Sequence, residues 1–201
     1  MNIIANNCIG ARLYQITKKQ FPNPFMWMTF SSIDDYVKLI ENYDNIDLNN
    51  PTFELETYKE NKHKSVLVTL DNDIKLHYIH YIQDDTKDNP VKESNTNILY
   101  KDILTYSKEK WFKRVNRINE EPIFLYSFNN LDINNTFYLK LVNKILNINT
   151  KYKIIILIHK SYELRKSIPK NINIIRLSDK EMKLTTSELA NLIKTQIFTN
   201  E

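Results

Sequence analysis

The sequence predicts an α/β fold: a mostly parallel, helix-covered sheet with an antiparallel insertion of strands in the middle of the chain. Three observations predict it. Strand-like and helix-like periodicities alternate toward both ends of the chain. The run Lys153 to Ile158 is continuously apolar, as in a strand buried on both faces. Between the ends, three strand-like runs follow one another without a helix, over Thr52 to Tyr58, Ser65 to Leu70 and Ile74 to Ile82.

The elements follow in order. Ile3 to Asn6 reads as a short strand, and Cys8 to Lys19 as a helix with Ile9, Leu13 and Ile16 at helical spacing. Pro22 and Pro24 end that helix and lead into an extended aromatic segment, Phe25 to Phe30. Ser32 with Asp35 three residues on forms a capping-box-like start to an amphipathic helix carrying Ile33, Tyr36, Val37, Ile40 and Tyr43. After the three strands, the polar stretch 83–97 (QDDTKDNPVKESNTN) reads as a mobile loop. Ile98 to Ile118 is helical, Ile123 to Tyr126 a strand and Thr136 to Leu146 a helix. A short helical stretch follows the buried strand, then a strand over Ile172 to Leu177. Thr185 with Glu188 caps a final helix through Ile197. No internal repeat is present, and one α/β domain over 1–201 is expected.

Composition narrows the function. A chain of 201 residues is large enough for one good core. The net charge of +4 is mild and no block of five or six basic residues occurs, so nucleic acid is not an expected partner. A single cysteine excludes an intrachain disulfide and a CxxC metal site, and a single glycine excludes GxGxxG. No stretch approaches the roughly 20 apolar residues of a membrane span. No basic region followed by an apolar one opens the chain, so a cytoplasmic location is expected.

The only cysteine and the only glycine sit two positions apart, in Asn6-Asn7-Cys8-Ile9-Gly10. The predicted strand–turn–helix puts this corner at a sheet's carboxyl edge, where open α/β folds place ligands. A thiol at a helix N-terminus is easier to ionise. The amides of Asn6 and Asn7, or the N–H groups of Ile9 and Gly10, are placed to hold an oxyanion. A cysteine nucleophile needs a base, and the strand DIKLHYIHY offers His77 and His80, which face opposite sides. That spacing also makes them poor partners for one metal ion, and no metal is expected. His159, ending the buried strand, is a further candidate base. Arg114 and Arg117 lie one helical turn apart, with a phosphate clamp or a solvated basic face as alternative roles.

Three segments together resemble a family of uncharacterised bacterial proteins assigned to exopolysaccharide biosynthesis. They are NIIANNCIGARLY with PFMWMTFSSIDDYVKLIEN, then DIKLHYIHY, then KEKWFKRVNRIN followed by PIFLYS, covering roughly residues 2 to 128. The family shows an Asn-Asn-Cys corner followed by Gly, a His-x-x-His strand and a Trp-x-x-Arg-x-x-Arg-Ile-Asn helix. The resemblance marks Asn6, Asn7, Cys8, Gly10, His77, His80, Trp111, Arg114, Arg117 and Asn119. Ile9 and Ala11 depart from it, where the family tends to have an aromatic residue and a second Gly.

What the resemblance implies is a cell-surface glycan pathway, with a glycan or an activated sugar as partner. The Asn-Cys corner is also similar to polysaccharide-biosynthesis acetyltransferases, which implies a coenzyme A thioester as acyl donor. The leading expectation is acyl transfer to a sugar, or acyl removal from one. Cys8 is its nucleophile, His77 or His80 its base, and Asn7 with Asn6 its oxyanion donors. Gly10, Arg114, Arg117 and Asn119 bind ligand. Three other readings compete. A papain-like hydrolase is suggested by PFMW, with Met26 where those enzymes have Asp. A nucleotide-sugar glycosyltransferase would need a carboxylate pair and a metal near Asp71 and Asp73. A non-catalytic glycan-assembly protein needs no such groups.

Overall fold

Period-two alternation divides the apolar residues of each parallel strand between two layers, and this division organises the molecule. The computed structural model describes residues 1–57, 64–78, 96–127, 142–164 and 167–198. In chain order the elements are β1 (Asn2–Ala5), α1 (Ile9–Ile16), β2 (Met28–Phe30), α2 (Ile33–Asn42), β3 (Thr52–Thr57), β4 (Lys64–Leu70), β5 (Ile74–Tyr78), α3 (Thr96–Val115), β6 (Pro122–Tyr126), β7 (Lys153–His159), β8 (Ile172–Leu177), α4 (Asp179–Met182) and α5 (Thr186–Phe198). A helical segment at 142–146 precedes β7.

The strands form two four-stranded sheets. One is parallel, ordered β1-β6-β7-β8, and the other antiparallel, ordered β2-β5-β4-β3. Ile4, Phe124, Tyr126, Ile154, Ile156 and Ile158 point from the parallel sheet toward Val66, Val68, Ile74, Leu76 and Tyr78 of the antiparallel one. Ile3, Ala5, Leu125, Ile155 and Leu157 point the other way, onto Leu13 of α1 and Ile193 and Ile197 of α5. The expected architecture is therefore present, with the inserted strands forming their own sheet over one face of the parallel one. Among the described residues no helix is long and apolar enough to cross a membrane.

The predicted caps form. Ser32 Oγ accepts from Asp35 N at 3.1 Å, and Thr185 Oγ1 from Glu188 N at 3.3 Å. A third cap, the reciprocal box of Ser178 with Glu181, opens α4. Two differences have local causes. The first helix stops at Ile16 because Lys18 turns left-handed, with φ 55°. The aromatic segment is extended only over Met28–Phe30, because Trp27 also has positive φ, at 65°. The loop expected at 83–97 lies outside the described residues up to 95, and α3 begins at Thr96. The helix expected from Thr136 lies outside them before 142.

The segment before β2 is held by buried polar groups. Asn23 Nδ2 donates to Ile3 O at 2.9 Å and to Asn2 Oδ1 at 2.6 Å, while Asn23 Oδ1 accepts from Phe25 N at 3.0 Å. Arg114, 3% exposed, donates through Nη1 to Met26 O at 3.3 Å and stacks over Phe21. Arg117 Nη1 donates to Phe21 O at 3.3 Å. Trp111 is wholly buried and donates to Leu48 O at 2.8 Å. Neither alternative expected of the two arginines, phosphate clamp or solvated face, describes these contacts, which are to main-chain carbonyls. Arg114 follows Trp111 by one turn and shares its buried face, so its guanidinium serves main-chain carbonyls.

Gly10 is also explained by packing. Its φ is not positive, and a Cβ built there lies 3.0 Å from Ala5 Cβ, so α1 rests directly on β1. Ala5 Cβ is fixed to a strand and cannot swing aside. Gly10→Ala should therefore lower the unfolding free energy by on the order of 1 kcal/mol, overpacking outweighing the helix propensity of alanine. Adding Ala5→Gly should recover part of that loss, and a double-mutant cycle in urea unfolding measures the coupling. Arg114→Lys should cost about 2 kcal/mol in the same assay, because an ammonium cannot reproduce the planar contacts to Met26 O and Phe21.

Candidate functional site

The parallel strands deliver four chain segments to one carboxyl edge: Asn6 to Cys8 after β1, Ser127 after β6, His159 to Ser161 at the end of β7, and Ser178 to Asp179 after β8. Phe30 N donates to Asn6 O at 3.4 Å, which brings the end of β2 and the antiparallel sheet to the same corner.

The asparagines there act as a staple. Asn6 Nδ2 donates to Ser127 O at 2.9 Å, and Asn6 Oδ1 accepts from Ser127 N at 2.8 Å. The amide thus extends the β1–β6 ladder by one rung. Asn7, buried, donates to Ser127 Oγ at 2.8 Å and to Ser127 O at 3.2 Å, and its Oδ1 accepts from Ile9 N at 3.0 Å. Three of the expected oxyanion donors are therefore engaged: both side-chain amides hold Ser127, and the Ile9 N–H holds Asn7.

Cys8 differs from expectation in its acidity. It is the N-cap of α1, but its side chain packs half-buried against the apolar layer of α1 and α5. Burial pushes the Cys8 thiol up to about 12, with Arg12 pulling it down by less. Desolvation thus moves the thiol away from the thiolate that a helix terminus favours. Gly10 faces Ala5 and Ile3, so the ligand-binding role expected of it is replaced by close helix–strand packing.

His77 sits on β5 between Leu76 and Tyr78, which point into the core, so its ring lies on the opposite face of the sheet. Its Nε2 is 2.7 Å from Ser31 Oγ, and its Nδ1 is 3.7 Å from Glu56 Oε2. The side chain is 12% exposed, and desolvation holds its pKa below the ordinary histidine value, against the opposing charges of Glu56 and Asp35. Ser31 is exposed and fixed by its N–H, which donates to Lys75 O at 3.0 Å. Asp35 fixes the same junction from α2: its Oδ1 accepts from Lys75 N at 3.2 Å and its Oδ2 from Ser32 Oγ at 2.5 Å. His77, expected as a partner of Cys8, meets a serine hydroxyl instead. In the tautomer that carries its proton on Nδ1, toward Glu56, Nε2 is the acceptor for that hydroxyl.

His80 lies outside the described residues. Asn119 is exposed, just past α3. Asp71 and Asp73 form the entry turn of β5, where Asp71 Oδ2 accepts from Asp47 N and Asp73 pairs with Lys75. No group of three His, Cys, Asp or Glu side chains placed to hold a metal ion occurs among the described residues. Sequence reasoning singled out neither Ser31 nor Glu56, because their chemistry arises from contacts with His77 across strands. Ser31 carried one signal, its place directly before a helix cap.

No curated protein matches this sequence. A family model described as a domain of unknown function, DUF1919, matches residues 1–104, a span that contains Asn6, Asn7, Cys8, Ser31, Glu56 and His77. As that span is more than half of the 201 residues, the chain belongs to the DUF1919 family.

Proposed function

We propose that this protein transfers an acyl group to a cell-surface carbohydrate, or removes one from it, using the Ser31 hydroxyl as nucleophile and His77 as base. The observation that carries the reading is the 2.7 Å contact between Ser31 Oγ and His77 Nε2, with the Glu56 carboxylate at 3.7 Å from the ring's other nitrogen, an ion-pair distance. Ser31 Oγ attacks the acyl carbonyl as its proton passes to Nε2. The leaving group takes that proton as the carbonyl–leaving-group bond breaks. Water then hydrolyses the acyl-serine, or a sugar hydroxyl accepts the acyl group. A coenzyme A thioester fits the first half of the transfer version.

The carbohydrate part rests on the resemblance of the corner, the His77 strand and the Trp111 helix to exopolysaccharide-biosynthesis proteins. Activated sugars and coenzyme A thioesters are cytoplasmic compounds, so we place the protein there. A thiol pushed up to about 12 weighs against the papain-like alternative. The turn contacts of Asp71 and Asp73 weigh against a metal-dependent glycosyltransferase.

Hydrolysis of p-nitrophenyl acetate and of acetylated oligosaccharides tests the proposal. Ser31→Ala and His77→Gln should each lose about 100-fold or more in kcat/KM, whereas Cys8→Ser should retain activity. Activity that survives Ser31→Ala and disappears in Cys8→Ser would overturn it. Iodoacetamide at neutral pH should leave Cys8 unmodified until the chain is unfolded, as read by intact mass. The pH profile has a defined sign. His77 must be neutral to accept a proton, and its pKa is lowered, so the rate should stay level as pH falls past about 6.5 and decline only below it.

A further inference from the structure

A second histidine stands at the carboxyl edge of the parallel sheet, at the end of β7 and outside the family-matched residues. His159 ends β7 and is 4% exposed. Its Nδ1 is 2.6 Å from Ser161 Oγ and accepts from Ser161 N at 3.3 Å. Its Nε2 is 3.1 Å from Asp179 Oδ1, an ion-pair distance outside the angular range of a hydrogen bond. Nδ1 is thereby the accepting nitrogen, and the ring proton lies on the side of Asp179.

The loop that presents Ser161 is fixed on both sides. Arg176 Nη1 donates to Tyr162 O at 2.7 Å and to Lys160 O at 3.4 Å. Lys160 N donates to Leu177 O at 2.7 Å, and Tyr162 N to His159 O at 3.1 Å. Ser161 itself is exposed. An accessible hydroxyl is thus held on a buried imidazole whose far nitrogen faces a carboxylate. Two things differ from the usual serine–histidine–aspartate order: the two ring nitrogens are exchanged, and the carboxylate stands at ion-pair distance without a hydrogen bond to the ring.

We infer that Ser161, His159 and Asp179 form a second nucleophilic centre that takes a small carboxylic ester. Ser161 Oγ bonds to the ester carbonyl carbon as its proton moves to His159 Nδ1. The carbon–alkoxy bond breaks, and the alcohol leaves with that proton. Water, deprotonated by the same nitrogen, releases the acid and restores the serine. Asp179 is a positioning residue, keeping the ring proton on Nε2.

Diisopropyl fluorophosphate tests this on the full chain. Ser161 Oγ displaces fluoride from phosphorus while His159 takes the hydroxyl proton, and peptide mass spectrometry locates the adduct. In Ser31→Ala the adduct should appear on Ser161, and Ser161→Ala should remove it. His159→Gln should slow labelling by about 100-fold. Asp179→Asn, at an exposed position, should slow it several-fold without changing thermal unfolding, and Asp179→Glu should restore it. A folded Ser31→Ala chain with no adduct on Ser161 would overturn the inference, as would labelling equally fast in Asp179→Asn. An adduct on Ser161 with none on Ser31 in the unsubstituted chain would count against the Ser31 reading alone.

Discussion

The parallel sheet is apolar on both faces, and the arrangement of the described elements around it answers that constraint. A sheet of this kind is stable only when both faces are covered. Here α1 and α5 cover one face, and the antiparallel sheet covers the other. The chain meets the requirement by leaving after β1, building the cover, and returning at β6 to pair with β1 in parallel register, Ile3 against Ile123. That return closes a long loop, whose entropic cost must be offset at the junction. The Asn6 and Asn7 amides bind Ser127 at this point, adding side-chain rungs where the backbone ladder ends. Asparagines that look like ligand donors in sequence are better explained as closure of the fold.

The same constraint explains why the helical basic segment is structural. Trp111 must fill the space between α3 and the sheets, where it meets Phe25 and Phe53 edge-on. A residue three positions later on that helix is carried onto the same face. Arg114 is therefore buried by geometry, and it stays compatible with burial because Met26 O and the face of Phe21 receive its charge. The main-chain turn it binds is the one that aims β2 at the antiparallel sheet, so the arginine contributes to placing Ser31 without touching it.

Much of this was legible in the residues. The apolar run of β7, the Ser32 and Thr185 caps and the alternation of Ile74, Leu76 and Tyr78 each specify an element by local chemistry, and each formed. The fates of Cys8 and Arg114 were harder to read because they depend on opposing effects of burial. A helix N-terminus favours a thiolate, but burial against an apolar layer pushes the thiol the other way, and part of that layer comes from α5, far away in sequence. For Arg114, the spacing from Trp111 was the available signal. The contacts of His77 were not legible, since Ser31 is 46 residues away and meets it only through strand register.

That register is itself determined by the core. Thr29 pairs with His77, and Phe30 with Leu76. Moving β5 by one residue would turn Leu76 and Tyr78 to the outside and His77 into the apolar interior, at a cost of several buried side chains. Hydrophobic burial therefore holds the imidazole on the outer face, and the end of β2 brings Ser31 alongside it. The hydroxyl, unlike the Cys8 thiol, stands outside the apolar layer. The proposed nucleophile and base are thus placed by the same packing that closes the two sheets together, each at or beside a strand of the antiparallel sheet.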